Sequence, residues 1–290
     1  MNSELQGIIV AAFGRHYEIE LPDHSRITGY PLGKKSPYAC GDRVALQRSS
    51  ADQAQIVRHL PRTSLLYRSD AFRQKLIVAN ATQLVLVVAT DPSFSDELLT
   101  RALIAAETEG LRSLILLNKI DLVEHLETAR RRLATLAGLG YPLIELCARQ
   151  DVAPLLPYLS GECSVLVGQS GMGKSTLINA LVPGAAAATR EISEALDSGK
   201  HTTTHARLYR LAQGGTLIDS PGLQEFGLAH LTRGAIEQGF VEFRPHLPGC
   251  RFRDCRHRSE PGCAIKAAVA AQLIDERRYE LFLRLGDAAC

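Results

Sequence analysis

The order of two short motifs constrains this chain more than any other feature. Asn118-Lys119-Ile120-Asp121 has the N-K-x-D pattern that grips a guanine ring. Gly168-Gln169-Ser170-Gly171-Met172-Gly173-Lys174-Ser175, further along, is a complete G-x-x-x-x-G-K-[ST] phosphate loop. Asp219-Ser220-Pro221-Gly222 follows with the D-x-x-G pattern of a switch beside a γ-phosphate. In ordinary guanine-nucleotide domains the phosphate loop comes first and the guanine motif near the end. The same parts in rotated order imply a P-loop α/β domain whose chain is circularly permuted.

The residue types explain what such a site would do. Gly168, Gly171 and Gly173 let the backbone bend close, so that its N–H groups face the α- and β-phosphates. Lys174 reaches the β/γ-phosphates, the Ser175 hydroxyl can ligate Mg²⁺, and Thr176 continues the phosphate-binding set into the following helix. Asp121 is placed to accept from guanine N1–H and the N2 amino group, while Asn118 and Lys119 orient the ring and tie its loop to the P-loop. Cys147-Ala148, after the next strand, is either a second guanine loop or an ordinary strand end. Gly199-Lys200-His201-Thr202-Thr203-Thr204 stands where a first switch belongs, with Thr203 as the candidate to complete the Mg²⁺ shell. Leu223 occupies the place after D-x-x-G where many GTPases carry a water-orienting Gln, and Gln224 comes one residue late. A low intrinsic rate is expected, with His201 the candidate to position water because neutral imidazole accepts a hydrogen bond near pH 7.

The chain has 290 residues, enough for about two average domains or three small ones, and its 46% apolar content suits globular cores. Its net charge of +2 says little about a nucleic-acid partner. Met1-Asn2-Ser3-Glu4 lacks a basic n-region, the apolar run 8–13 is too short for a signal peptide, and no run approaches a membrane span. A cytoplasmic protein without membrane contact, monomeric, is expected. In that reducing compartment the seven Cys are not expected to form disulfides.

Three segments follow one another. Residues 1–62 carry short alternating runs at Gly7–Phe13, His16–Leu21, Arg43–Gln47 and Gln55–Leu60, broken by Pro22-Asp23 and Gly41-Asp42, which predicts four or five strands in a small barrel, an OB-fold first. Lys34-Lys35 lies in a long connection, and Pro61–Arg73 looks like a linker. Residues 63–228 change texture. Leu84–Ala89 and Leu114–Leu117 are continuous apolar runs, as expected of strands buried on both faces of a parallel sheet. Further strands are expected at Leu143–Cys147, Ser164–Val167, Ala206–Leu211 and Thr216–Asp219, with helices at Asp96–Glu109, Glu124–Ala137 and Ser175–Leu181. Residues 229–290 are read as a mainly helical module around a Cys/His- and Arg-rich stretch.

Within that stretch, Cys250-x₄-Cys255-x-His257-x₅-Cys263 offers three thiolates and one imidazole, a set suited to one tetrahedral, structural Zn²⁺ per chain. Cys40, Cys147, Cys163 and Cys290 are scattered and read as buried or incidental. Arg251, Arg253, Arg256 and Arg258 interleave with the ligands against Asp254 alone, and outweigh the charge of about −1 that three thiolates leave on Zn²⁺. An rRNA phosphate contact is the expected use of that surface.

With these motifs assembled, the chain resembles the ribosome small subunit-dependent GTPase A family over nearly its whole length. The resemblance rests on the permuted motif order, the N-terminal barrel, the Cys/His spacing, and local matches at Gly199–Thr204, Asp219–Gly227 and Glu260-Pro261-Gly262-Cys263. It implies a late assembly factor that docks on the small ribosomal subunit and its rRNA and hydrolyses GTP to GDP when it does, with the family's proposed catalytic His at His201. Two departures stand out: the family's usual Ser-Ala is Cys147-Ala148 here, and the N-terminal tail is short, so a contact made by a longer extension is not expected. Permutation joins the old termini through Arg149–Glu162 and ends the G domain after its second switch, which would let movement of Asp219–Gly227 reach the zinc module. A rival reading is a GTP-gated rRNA-binding module with little turnover. A permuted GTPase of the large subunit, or one with an N-terminal zinc module, fits the barrel-first, zinc-last order less well.

Overall fold

Alternation of apolar and polar side chains closes the N-terminal segment on itself. A computed structural model of the protein describes residues 5–13, 15–33, 38–69, 74–185, 206–220, 228 and 230–287. Strands β1 (Leu5–Ala12), β2 (Tyr17–Glu20), β3 (Arg26–Pro31), β4 (Arg43–Arg48) and β5 (Gln53–His59) pair in the order β1-β2-β3-β5-β4, and β4 returns to β1. This is a closed five-stranded barrel of OB type, filled by Ile9, Tyr17, Ile19, Val44, Leu46 and Ile56. No apolar run announces β3, because Gly29 and Pro31 interrupt it. The glycine is a packing requirement: a Cβ there would lie 2.2 Å from Ile19 Cδ1.

The stretch expected as a linker contains structure. Residues 65–69 form β6 (Leu65–Ser69), which pairs antiparallel with β7 (Gln74–Ala79) as a separate two-stranded sheet. Leu66 and Val78, register partners, are both buried in the central core, and that apolar anchorage overrides the arginine-rich composition of the segment. Just before β6, the Arg62 guanidinium binds both oxygens of the fully buried Asp42 carboxylate at 2.7 Å, which fastens the barrel's exit.

The central sheet has the six strands expected. Its order is β10 (Leu143–Glu145), β9 (Arg112–Asn118), β8 (Gln83–Ala89), β11 (Cys163–Val167), β13 (Thr216–Asp219) and β12 (Arg207–Arg210). All neighbours are parallel except β12 with β13. Every residue of β8 is buried, as a strand covered on both faces requires. Helix α1 (Asp96–Thr108), capped by the Ser95 hydroxyl, and α2 (Val123–Gly138) follow β8 and β9, the short α3 (Leu156–Leu159) lies in the joining segment, and α4 (Lys174–Leu181) follows β11. Edge strand β12 also pairs with β1 at Ala11–Arg207, so barrel and central sheet form one continuous eleven-stranded sheet. Ion pairs of Arg207 with Glu18 at 3.3 Å and Arg210 with Glu20 at 2.5 Å reinforce that seam.

The C-terminal segment folds around a smaller core of Ile236, Phe240, Phe243, Ile265, Ile274 and Phe282. It carries α5 (Arg233–Gly239), α6 (Ala264–Ala270) and α7 (Glu276–Asp287). The three phenylalanine rings stand 5.0–5.5 Å apart. Ile104 of α1 is buried in the same core, and no helix in the described residues is long and apolar enough to cross a membrane.

Candidate nucleotide site and metal centre

The two separated motifs meet at the C-terminal ends of β9 and β11, where open α/β sheets collect ligands. Asn118, almost wholly buried, joins three loops: its Nδ2 donates to the Met172 carbonyl at 3.0 Å, and its Oδ1 accepts from the amides of Lys119 at 2.8 Å and Ala148 at 3.0 Å. The Asn118-Lys119 loop is thereby held against the phosphate loop and against Cys147-Ala148. Lys119 takes φ of +61° and sends its ammonium to the Asp91 carbonyl at 2.7 Å, while its own carbonyl accepts from the Thr90 hydroxyl at 2.8 Å. Ile120 is half-buried against the central core, and Asp121 is exposed at the mouth of the site.

The phosphate loop is fixed by close approach. Gly173 has φ of +89°, and a Cβ there would come within 2.4 Å of Asn118 Nδ2. At Gly168 a Cβ would lie 2.2 Å from the Val87 carbonyl oxygen. Only glycine meets both conditions, which accounts for these two positions by sterics as well as by ligand access. Lys174 folds over the loop and donates to the carbonyls of Gly168 at 2.5 Å and Gln169 at 2.8 Å. Burial lowers the pKa of Lys174 against the opposing field of Asp219; burial likewise raises that of Asp219, opposed by Lys174 and by the Ser220 amide. Two opposite charges are thus held half-desolvated at the base of the loop. Ser170 and Ser175 are exposed, Thr176 is half-buried and Met172 is buried beneath the loop.

Gln169 has a second task that its motif position does not advertise. Its Oε1 accepts from the backbone N–H of Ser95 at 2.7 Å, tying the phosphate loop to the start of α1. His201, Thr203, Gly222, Leu223 and Gln224, like Lys34, Lys35 and Cys290, lie outside the described residues.

The second site is made of side chains alone. The ligand atoms of Cys250, Cys255, His257 and Cys263 all lie within 4.8 Å of one another. His257 Nδ1 stands 3.6 Å from Cys250 Sγ and 3.4 Å from Cys263 Sγ, and its Nε2 faces Glu237 Oε1 at 3.6 Å. A carboxylate on the far nitrogen favours the tautomer that keeps Nδ1 bare for a metal. Cys263 caps α6, its sulfur accepting from the Lys266 amide at 3.5 Å. Burial pushes the Cys255 thiol up to about 12. Four converging donors, three of them soft sulfurs, therefore fit a tetrahedral thiophilic cation. Arg251, Arg253, Arg256 and Arg258 are exposed around this cluster. The other described cysteines, Cys40, Cys147 and Cys163, are buried or half-buried outside it.

The fold and site together define a P-loop guanine-nucleotide domain of permuted order, set between a barrel and a small Cys/His module. Comparisons agree. The family model described as RsgA GTPase matches residues 59–229. Two proteins named "Small ribosomal subunit biogenesis GTPase RsgA" are similar along nearly their whole length. That of Ralstonia pickettii (strain 12J) is 53% identical over 96% of this chain and 91% of its own, and that of Nitrosospira multiformis 54% identical over 97% and 90%. The crystal structure of YjeQ from Thermotoga maritima superposes with a TM-score of 0.78 at 29% identity, covering 99% of both chains. The structure of YloQ, a circularly permuted GTPase, shares the fold with a TM-score of 0.74 at 24% identity over 99% of this chain and 96% of that one. The chain belongs to the RsgA GTPase family and is a GTP hydrolase.

Proposed function

We propose that the chain hydrolyses GTP during biogenesis of the small ribosomal subunit, as a late assembly factor whose turnover that subunit stimulates. The observation that carries this is the Asn118 junction, which assembles a guanine site from permuted motifs within a chain that also presents a barrel and an arginine-rich metal module. The names of the similar proteins from Ralstonia pickettii and Nitrosospira multiformis support the ribosomal setting.

In this reading Asp121 reads the guanine edge, with Asn118, Lys119 and Ile120 shaping its loop. The amides from Gly168 through Gly173, with Gln169, Ser170, Gly171 and Met172 between them, cradle the phosphates. Lys174 neutralises the β/γ-phosphates, which would draw its ammonium off the Gly168 and Gln169 carbonyls. Ser175 and Thr203 would hold Mg²⁺, Thr176 the phosphate end of α4, and Asp219 and Gly222 the γ-phosphate side. Mg²⁺ would supply charge neutralisation of the transferred phosphoryl. His201 orients the attacking water, since Leu223 has no group to do so. Cys250, Cys255, His257 and Cys263 hold one structural Zn²⁺. The barrel (1–62) and the zinc module (229–290) bind rRNA on either side of the G domain (63–228), in a cytoplasmic monomer. Movement of Asp219–Gly227 on hydrolysis would reach the zinc module directly, so that nucleotide state sets ribosome affinity.

GTP hydrolysis measured with purified small subunits, large subunits and neither tests the proposal. Slow turnover alone and strong acceleration by small subunits are expected; equal rates in all three would overturn it. His201→Ala should lose most of the stimulated rate, where supplying a transition-state group is worth roughly 10³–10⁵, and keep GTP binding.

A further inference from the structure

Helix α1 touches both functional regions. At its N-terminal end the Ser95 amide donates to Gln169 Oε1, whose residue also lends its carbonyl to Lys174. A cavity of about 30 Å³ lies under this contact, lined in part by Leu98, Leu99, Val167 and Gly168. Here one hydrogen bond beside a small void ties the phosphate loop to α1, in addition to the tie of its Met172 carbonyl to Asn118. Along its length, at Thr100, Ile104 and Glu107, α1 is also held by the C-terminal module. Ile104 is wholly buried in that module's core, packed so closely on Gly239 that a Cβ there would sit 2.8 Å from Ile104 Cγ2. Thr100 Oγ1 accepts from Arg278 Nη1 at 2.9 Å, and Arg278 is paired with Glu242 at 2.7 Å, all three side chains buried. Glu107 binds Arg244 at 2.6 Å.

We propose that Gln169 is a positioning residue for the phosphate loop, and that α1 carries its anchorage into the C-terminal module, so that loosening this module loosens the hold on nucleotide. The helix is the coupling element because it meets the C-terminal module through Thr100, Ile104 and Glu107 and the phosphate loop through the amide just before its first turn. A load on the C-terminal module that tilts α1 moves the Ser95 amide away from Gln169, and the phosphate loop follows. This route is separate from the second switch, since none of its residues belongs to Asp219–Gly227.

The test is the release rate of a fluorescent GDP analogue from the full chain, with metal content and circular dichroism checked in each variant. Ser95→Pro removes the N–H that Gln169 receives, whereas Ser95→Ala removes only the helix cap. Ser95→Pro should raise the release rate about tenfold and Ser95→Ala less than about threefold, in line with one neutral hydrogen bond beyond the cap. Gln169→Met should reproduce the part of the Ser95→Pro effect that exceeds Ser95→Ala, and adding it to Ser95→Pro should change almost nothing, as two halves of one contact must. On the C-terminal module, the paired change Arg278→Met with Glu242→Gln removes the hydrogen bond to Thr100 and loosens the hold on α1 without leaving a buried orphan charge, and should raise release about three- to tenfold. Equal release from Ser95→Pro and Ser95→Ala, or full additivity with Gln169→Met, would overturn the role of Gln169. Unchanged release in the Arg278/Glu242 variant would overturn the role of α1. The readout needs no ribosomal subunit, so it stands or falls separately from the stimulated turnover.

Discussion

The nucleotide site and the metal cluster hold their residues in place by different means. At the nucleotide site, backbone does most of the holding: β8 and β9 from Leu114 onward are buried on both faces, glycines let loops approach to contact distance, and Asn118 fastens three of those loops with its two polar atoms. The metal cluster has four side chains on short helices and turns, above a core whose largest members are three phenylalanines. The first site is preformed by its domain; on the proposed reading, a metal in the second would help to form its domain. Removing a ligand should therefore matter little to one and greatly to the other.

The largest effect expected follows from that difference. Cys255→Ser should abolish metal retention and unfold the C-terminal module, because binding energies of this type, on the order of 10–16 kcal/mol, are mostly local folding energy. GTP should still bind, with faster release. Metal analysis of freshly purified protein should find one zinc per chain. A metal-free chain with a folded C-terminal module would break the comparison.

Next in size is nucleotide choice. GTP should outcompete ATP by roughly 10⁴–10⁵, because a site built for specific polar edges leaves its own groups unpaired with the wrong base. Asp121→Asn should weaken GTP and favour xanthosine triphosphate, whose C2 carbonyl accepts from the new amide. Competition binding reads both, and equal GTP and ATP affinity would end the assignment of Asp121.

Gly173→Ala tests the claim that the nucleotide site is backbone. A left-handed φ costs a non-glycine residue about 1–3 kcal/mol, and here the new methyl would also strike Asn118 Nδ2 at 2.4 Å. Nucleotide binding should be lost with the domain still folded. Gly110→Ala, also at positive φ but with open space around its Cβ, should cost only strain and leave binding intact. Similar loss of binding in both variants would mean that the clash with Asn118 is irrelevant.

What sequence made legible matches this division. The runs of β8 and β9, the six-strand order of texture, the phosphate loop and the Cys/His spacing are local patterns, and each was readable because its chemistry fits within a short stretch. Strand β3 was hidden because Gly29 serves packing against Ile19 and so breaks the apolar alternation that marks strands. Strand β6 was hidden in the arginine-rich stretch Pro61–Arg73 that resembles a linker, and its partner β7 lies just beyond that stretch. The contacts Gln169–Ser95, Ala148–Asn118 and Arg278–Thr100 join residues far apart in the chain, and no periodicity encodes them. Ile104 reads as one more apolar residue of α1, and only packing shows that it belongs to the C-terminal core.

The smallest effect expected is one of pH, and its sign should differ between the two sites. At Asp219, burial raises the folded-state pKa above the ordinary carboxylate value, with Lys174 opposing. The folded, nucleotide-free domain then binds this proton more readily than the unfolded chain. The ionised carboxylate thus costs stability at neutral pH, and that cost disappears as pH falls through the raised folded pKa toward the unfolded one. A metal held by the Cys/His cluster would run the other way, because acid protonates thiolates and would release the ion. Asp219→Asn should remove the cost of burying the charge and raise the melting temperature of the nucleotide-free G domain. The same change should weaken Mg²⁺-GTP, since the carboxylate is kept for its ligand and at the expense of the empty fold. Thermal scans of wild type and variant near pH 7, with and without Mg²⁺-GTP, separate the two contributions. An empty Asp219→Asn domain that melts below wild type would show that the Lys174–Asp219 attraction outweighs burial, and the nucleotide site would then rest on a stabilising charge pair after all.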